Sequence, residues 1–241
     1  MSLSGIFPID QWNFKSKSIL KSIPQEDYDQ LVAHMSIENY KKGEIVFREG
    51  AMPSGIFYIQ SGKIKKYKAD KDGREQIIYV ANDGELVGHH AILAEERYSD
   101  SAATLENCTI AFIPKEDFLQ ALQSSKVLSQ RLLKSISHEF AVLANSISVF
   151  AQRNVRERLA IALIVLREKF KNEHEPQSVI EINISRNDLA NMVGTANENV
   201  VRILKEFKSL GILYTQGRKI IIEDVKKLID ISGYSIQKRL Y

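Results

Sequence analysis

Residues 184–213 read ISRNDLANMVGTANENVVRILKEFKSLGIL. Ser185 followed three residues later by Asp188 is a helix-start signal, because the hydroxyl can satisfy one of the unpaired amides of a first turn. Leu189, Ala190 and Val193 then supply one short apolar face, and Gly194 stops the helix. Thr195 and Glu198 repeat the start signal at once, so the connection is only a few residues long. Val200, Ile203, Leu204 and Phe207 fall on one side of the helix that follows. Two short helices across a glycine-containing turn are a helix-turn-helix. Behind them come Gly211-Ile212-Leu213-Tyr214, a Gly217-Arg218 turn and Lys219-Ile220-Ile221-Ile222, which predict a small hairpin. Helix, turn, helix and hairpin in this order predict a winged helix-turn-helix.

That geometry lays the second helix in the major groove of DNA, with its N-terminal residues toward the base edges. Asn197, Glu198 and Arg202 fall in its first two turns, and Glu198, Arg202 and Lys205 share the face opposite the apolar stripe. Arginine pairs with guanine, glutamate accepts from cytosine and asparagine reads adenine. Ser185, Thr195 and Arg218 complete the expected DNA-binding set. The competing reading of Glu198 is a capping partner of Thr195; that of Arg202 and Lys205 is a solvated face or phosphate contact. Charge agrees with a polyanionic partner for this half. Residues 153–241 carry 16 Lys and Arg against 11 Asp and Glu, whereas the preceding 152 carry 17 against 19.

Upstream the texture differs. Ser22 and Pro24, acidic residues behind them, and Leu31, Val32 and Met35 predict a helix over 22–35. From Tyr40 to Pro114 short β-branched or aromatic runs follow: Ile45–Phe47, Ile56–Ile59, Ile64–Tyr67, Ile77–Val80 and Ile110–Ile113. Gly43, Gly50, Gly55, Gly62, Gly73 and Gly84 punctuate them at intervals of roughly ten residues, which predicts an antiparallel β sandwich or barrel. Asp72-Gly73 reads as a tight hairpin turn between the third and fourth runs.

From about Glu116 the pattern is helical. Leu133, Ile136, Phe140, Leu143, Ile147 and Phe150 recur at spacings of 3, 4, 3, 4 and 3, an a/d repeat that favours a coiled-coil dimer seam over a half-buried core helix. A further helix is expected from Val155 to Phe170, with Leu159, Leu163 and Leu166 on one face, followed by a polar loop from Lys171 to Ser178.

With these pieces in order, the chain resembles the Crp/Fnr family of bacterial transcription regulators over nearly its whole length. The resemblance rests on YKKGEIVFREGAMPSGIFYIQSGKIKKY, on GEL followed by SAATLE, on the heptad helix and on the 184–213 stretch. It implies an α+β protein with an N-terminal double-stranded β-helix (jelly roll) over residues 1–125, a long dimerisation helix over 126–153 and a winged helix-turn-helix over 154–241. It also implies a homodimer on a palindromic operator, with a small-molecule effector in the barrel setting the affinity. Family base contacts map onto Asn197, Glu198 and Arg202; arginine is common at the first position, so Asn197 is a departure.

The effector pocket implied by the resemblance comprises Gly84, Glu85, Leu86, Arg97, Asp100, Ser101, Leu143 and Ala144. Members that bind cyclic AMP use Gly-Glu-Leu for the ribose, matched by Gly84-Glu85-Leu86, and an Arg-Ser pair for the cyclic phosphate. Here that pair is Asp100-Ser101, and a carboxylate repels a phosphodiester. Leu143 and Ala144, at the purine positions, offer no hydroxyl or amide. Cyclic AMP therefore fits poorly, and the effector is an unidentified small molecule. The N-terminal segment lacks the cysteines of iron–sulfur members. His89-His90 draws attention as a haem ligand pair, but adjacent histidines are expected on a solvated surface turn. Cys108, at an apolar strand start, makes a poor redox switch. No cofactor or metal site is expected.

An enzyme is disfavoured: the barrel lacks the alternating His and carboxylate ligands of metal-binding jelly rolls, and no nucleophile elbow or phosphate loop occurs. A barrel that has lost its ligand is the alternative reading; a nucleotide module regulating a kinase or channel conflicts with a DNA reader on the same chain. RNA polymerase is a further candidate partner. The start MSLSGIFPIDQW lacks signal-peptide order, and the densest apolar run, Leu159–Leu166, is far short of the roughly 20 residues that cross a bilayer. The expected location is the cytoplasm, without membrane contact.

Overall fold

The computed structural model describes residues 3, 5–14, 17–20, 23–171 and 179–234. The chain divides into two units, residues 14–142 and residues 1–13 with 143–241.

In the first unit, two four-stranded antiparallel sheets face each other. One comprises β1 (Ser36–Tyr40), β3 (Gly55–Ser61), β6 (Leu86–Val87) and β8 (Cys108–Pro114), in the order β1-β8-β3-β6; the other comprises β2 (Ile45–Phe47), β4 (Lys63–Ala69), β5 (Glu75–Asn82) and β7 (Ser101–Thr104), in the order β2-β7-β4-β5. Neighbours distant in sequence pair across each sheet, which makes a jelly roll rather than a meander. Phe47, Phe57, Ile59, Ile64, Tyr79 and Ile110 fill the space between the sheets. A second core lies on the outer side of the first sheet, where Ile56, Leu86 and Ile113 meet Leu31, Phe118, Leu128 and Leu132 from helices. Consecutive residues of β3 thus serve opposite cores, so Gly55–Ile59 reads as a continuous apolar run instead of an alternation. The helices are α1 (Lys17–Leu20), α2 (Gln25–Leu31), α3 (His89–Leu93), α4 (Lys115–Ser124) and the first part of α5 (Lys126–Gln152).

Three expectations change here. The helix expected over 22–35 is confined to α2, where Pro24 precedes the first turn; Ser22 lies outside the described residues. The Asp72-Gly73 turn is not a two-residue hairpin. Strand pairing ends at Ala69 and Glu75, and Asp70 organises the longer loop by accepting the amides of Asp72 and Arg74 while Gly73 takes φ +76°. Strands β1, β6 and β7 had no sequence counterpart. β1 is an exposed edge, and β7 is a short buried run of Ser, Ala, Ala and Thr, so neither alternates.

α5 is one continuous helix of 27 residues with two kinds of face. Leu128, Leu132, Ser135, Glu139, Val142 and Val149 are buried. Leu133, Phe140 and Ile147, seven residues apart, are 68%, 75% and 71% exposed, and Phe150 is exposed less fully. Leu143 is half-buried, and Ile136 leans partly onto the second core.

The second unit is built around α6 (Val155–Lys169), which opens with a complete capping box between Asn154 and Glu157. The expected single face of Leu159, Leu163 and Leu166 understates its burial: every residue from Leu159 to Leu166 is buried, so the helix is the core of the unit. Against it pack α7 (Arg186–Val193) and α9 (Val225–Ile231), a helix the sequence did not announce. α8 (Asn197–Ser209) follows α7, and β10 (Leu213–Gln216) and β11 (Lys219–Ile222) form the hairpin. β9 (Ile182–Asn183) adds a third strand beside β11. The loop expected over Lys171–Ser178 lies outside the described residues except for Lys171. No helix among the described residues is long and apolar enough to cross a membrane.

Candidate nucleic-acid interface and sensor site

The reading pair is set by local chemistry. Ser185 caps α7, its Oγ accepting the Asp188 amide at 2.9 Å and donating to the Asp188 carboxylate at 2.5 Å, so this hydroxyl is committed to the helix start. Gly194 ends α7 at φ +63°. The second start signal is misplaced by one residue: the N-cap of α8 is Ala196, without a side-chain cap, and Thr195 Oγ1 instead accepts the Asn199 side-chain amide at 3.1 Å. The capping box expected between Thr195 and Glu198 does not form, because alanine at the cap position shifts Glu198 to the second helical residue. Glu198 sits in the first turn, where a carboxylate is favoured by the helix dipole.

Val200, Ile203, Leu204 and Phe207 are buried, whereas Asn197, Glu198, Arg202 and Lys205 are exposed. Val201, 36% exposed and three residues after Glu198, joins the exposed side of α8, an addition to the residues expected from the sequence. A helical-wheel comparison of exposed positions would have found it. Arg218 is exposed at the hairpin turn.

Three arginines hold this geometry, and none stood out in the sequence. Arg186 donates to the backbone carbonyls of Gly217 at 3.2 Å and Arg218 at 3.3 Å, fastening the hairpin tip to the start of α7. Arg158 on α6 donates to the carbonyl of Val193 at 2.9 Å, satisfying the C-terminal end of α7. Arg156 Nε donates to Glu206 of α8 at 2.7 Å. Partial burial lowers the pKa of Arg158 and Arg186 from the ordinary guanidinium range.

In the barrel unit, Glu85 is buried and accepts hydrogen bonds from the Tyr79 hydroxyl at 2.8 Å and the Asn82 amide at 3.2 Å. Burial first, then the Glu85 charge, pushes the Tyr79 phenol well above its usual pKa. Gly84 shapes the turn at φ +80°, and Leu86 is buried in the second core. Asp100 is not the bare carboxylate expected from the sequence: Lys66 Nζ lies 3.1 Å from it, and both side chains are largely buried. The pair cancels the repulsion, but it also commits the Lys66 ammonium to Asp100 rather than to a cyclic phosphate. Ser101 Oγ accepts the Glu49 amide, and exposed Arg97 donates to the carbonyl of Gly50. These residues do not fit a cyclic phosphodiester. Leu143 and Ala144 belong to the other unit, half-buried and exposed respectively.

The surface-turn reading of the histidines is overturned. Gly88 at φ +87° turns the chain inward, and His89 opens α3 at 1% exposure. His90 is half-buried and meets Glu139.

Cys108 is buried, its thiol donating to the carbonyls of Lys63 and Glu106 at 3.4 Å, and burial pushes it up to about 11. At pH 8 the native thiolate fraction then falls to about a hundredth of that in the unfolded chain. Alkylation by iodoacetamide is expected to be about a hundredfold slower in the native protein than in denaturant, measured by mass spectrometry; equal rates would contradict the burial.

A helix-turn-helix with a flanking hairpin, on the same chain as a jelly roll, defines a class of DNA-binding regulators. Comparison with known proteins agrees. Residues 37–125 match the cyclic nucleotide-binding domain and residues 157–231 the Crp-like helix-turn-helix domain. The chain is 28% identical over 220 residues to the anaerobic regulatory protein of Aggregatibacter actinomycetemcomitans, covering 90% of this chain and 84% of that one. It is 27% identical over 197 residues to the transcriptional activator protein Anr of Pseudomonas aeruginosa, covering 82% and 80%. Among solved structures, the c-di-GMP-responsive global regulator CLP of Xanthomonas campestris superposes with a TM-score of 0.69 at 24% identity, covering 83% of this chain and 99% of that one. FixK2 of Bradyrhizobium japonicum does so at 0.71 and 18%, covering 82% and 96%; these two likenesses bear on the fold alone. The chain belongs to the Crp/Fnr family of transcription regulators.

Proposed function

We propose that this regulator acts in the cytoplasm as a homodimer that reads a palindromic operator with α8, its affinity set by a small-molecule effector in the barrel. The observation that carries the reading is the division of α8, whose apolar stripe is wholly buried while Glu198, Val201, Arg202 and Lys205 stand exposed together. Arg202 suits guanine, Glu198 cytosine, Asn197 adenine and Val201 a thymine methyl. Lys205, Arg218 and Thr195 act as backbone-positioning groups, while Ser185 contributes by capping α7. RNA polymerase is a further partner of the proposed complex.

Selection of binding sites from a randomised duplex pool tests this reading. A two-fold palindrome with half-sites about one helical turn apart is the expected product; sites lacking symmetry would overturn the dimeric reader. Repeating the selection with cyclic AMP is expected to change nothing, given the pairing of Lys66 with Asp100. Arg202→Ala is expected to cost about 1–3 kcal/mol on the selected site and far less on random DNA, measured by fluorescence anisotropy. Equal losses on both would make Arg202 a phosphate contact. The mutual satisfaction of Tyr79 with Glu85 and Lys66 with Asp100 also favours a second reading, a barrel that serves as scaffold without a ligand. Copurification of a small molecule with the native protein separates the two.

A further inference from the structure

We propose that His89, His90 and Glu139 form a binding site for a divalent first-row transition-metal ion of the Zn²⁺ type, linking α3 to α5. Among the described residues, one ligand atom from each of the three lies within 4.8 Å of the others. His90 Nε2 is 2.7 Å from one Glu139 carboxylate oxygen, and His89 Nε2 is 3.7 Å from the other. Ligands bound at about 2.0–2.2 Å to a tetrahedral ion stand about 3.3–3.6 Å apart, so small side-chain shifts would close the cluster around one.

Burial argues for an occupant. Glu139 is 1% exposed on the inward side of a helix whose neighbouring buried positions include Leu132 and Val142. The Ser135 hydroxyl also donates to it at 3.2 Å. A pair of His90 with Glu139 would by itself be a simple polar clasp. It leaves His89 unexplained: both ring nitrogens of this 1%-exposed side chain lack a hydrogen-bond partner, although Nε2 points toward the carboxylate. Native interiors rarely leave such groups unsatisfied. A metal ion would use the His89 nitrogen and compensate the carboxylate charge together.

The donor set selects the class of ion. Two imidazoles and a carboxylate suit Zn²⁺, Fe²⁺, Co²⁺ or Ni²⁺, whereas Ca²⁺ and Mg²⁺ prefer oxygen alone. Burial, with lesser contributions from His90 and Lys66, keeps His89 in its neutral, ligating form. The charge of Lys66, the cation that acts on His89, is balanced by Asp100. Three protein ligands leave a fourth position for water or a small molecule. Glu139 directly precedes Phe140, the most exposed apolar residue of α5, so an ion here would fix the helix next to the expected dimer seam. The site itself does not depend on that dimer or on DNA control.

The test uses the full chain, stripped with a chelator and confirmed as folded by circular dichroism. Zn²⁺ is titrated against a chromophoric chelator, and Co²⁺ is followed by its visible absorption. One ion per chain is expected, with a four-coordinate Co²⁺ spectrum free of thiolate charge transfer. Glu139→Gln, which keeps shape and removes charge, and His90→Ala are each expected to weaken binding at least tenfold and to abolish the Zn²⁺-dependent rise in melting temperature. A folded wild-type chain that binds neither ion would overturn the proposal. So would Glu139→Gln and His90→Ala proteins that bind with unchanged stoichiometry and affinity.

Discussion

Replacing Phe140 and Ile147 together with glutamate is expected to give a folded monomer that no longer binds its operator tightly. The two side chains are 75% and 71% exposed in the single chain, so the substitutions remove little from its own core. In a two-fold dimer each protomer would bury both. Burying a large apolar side chain contributes about 1.5–3 kcal/mol, so four of them contribute roughly 6–12 kcal/mol. Four carboxylates brought together at the same seam would oppose association further. Without the partner, one reading head meets one half-site, and the affinity gained by engaging two linked half-sites is lost. Sedimentation velocity should show the halved mass, the melting temperature should stay near that of the wild-type monomer unit, and operator affinity should fall at least a hundredfold. A double mutant that remains dimeric would place the interface elsewhere.

The second large effect concerns stability. Gly62 connects β3 to β4 at φ +94°, and a Cβ there would stand 2.5 Å from Cys108 Sγ and 2.8 Å from the carbonyl oxygen of Asn107. Gly62→Ala must therefore accept an unfavourable backbone conformation, at about 1–2 kcal/mol, and force apart packed atoms, at about 1–3 kcal/mol more. At roughly 2–4 °C per kcal/mol for a chain of this size, the melting temperature should drop by about 10 °C. Gly73→Ala is the control. Its φ is also positive, at +76°, but nothing stands within 4 Å of the added carbon, so only the conformational part should be lost. Equal shifts for the two would show that the close approach at Cys108 contributes nothing.

The winged helix-turn-helix was legible because α7, α8 and the hairpin each keep one face in water, and half-buried elements write their period into the sequence. The same rule explains the failures. α6 is buried all round, so choosing three leucines as its face missed most of its contacts. β1 is an exposed edge strand with four exposed residues in five, and β7 is four small buried residues; neither alternates. Ala196 at the N-cap of α8 went unseen because Thr195 offered the better capping side chain one residue early. In the sensor, Asp100 pairs with Lys66, 34 positions away, and His90 meets Glu139, 49 positions beyond it. Pairings across such distances leave no local pattern to read. The reading face of α8 was visible as residues; Arg186 and Arg158 were not, since their partners are carbonyl oxygens that every sequence possesses.

That last point sets how this reader can diverge or be redesigned. Because Arg186 grips the hairpin tip through the carbonyls of Gly217 and Arg218, the clamp is indifferent to the side chain at position 218. Glycine is favoured at 217, where φ is +59°, but the neighbouring position can be exchanged without removing the carbonyl that Arg186 grips. The wing is in effect a fixed mount: the side chain at its tip is open to exchange while the Arg186 guanidinium keeps the tip beside the start of α7.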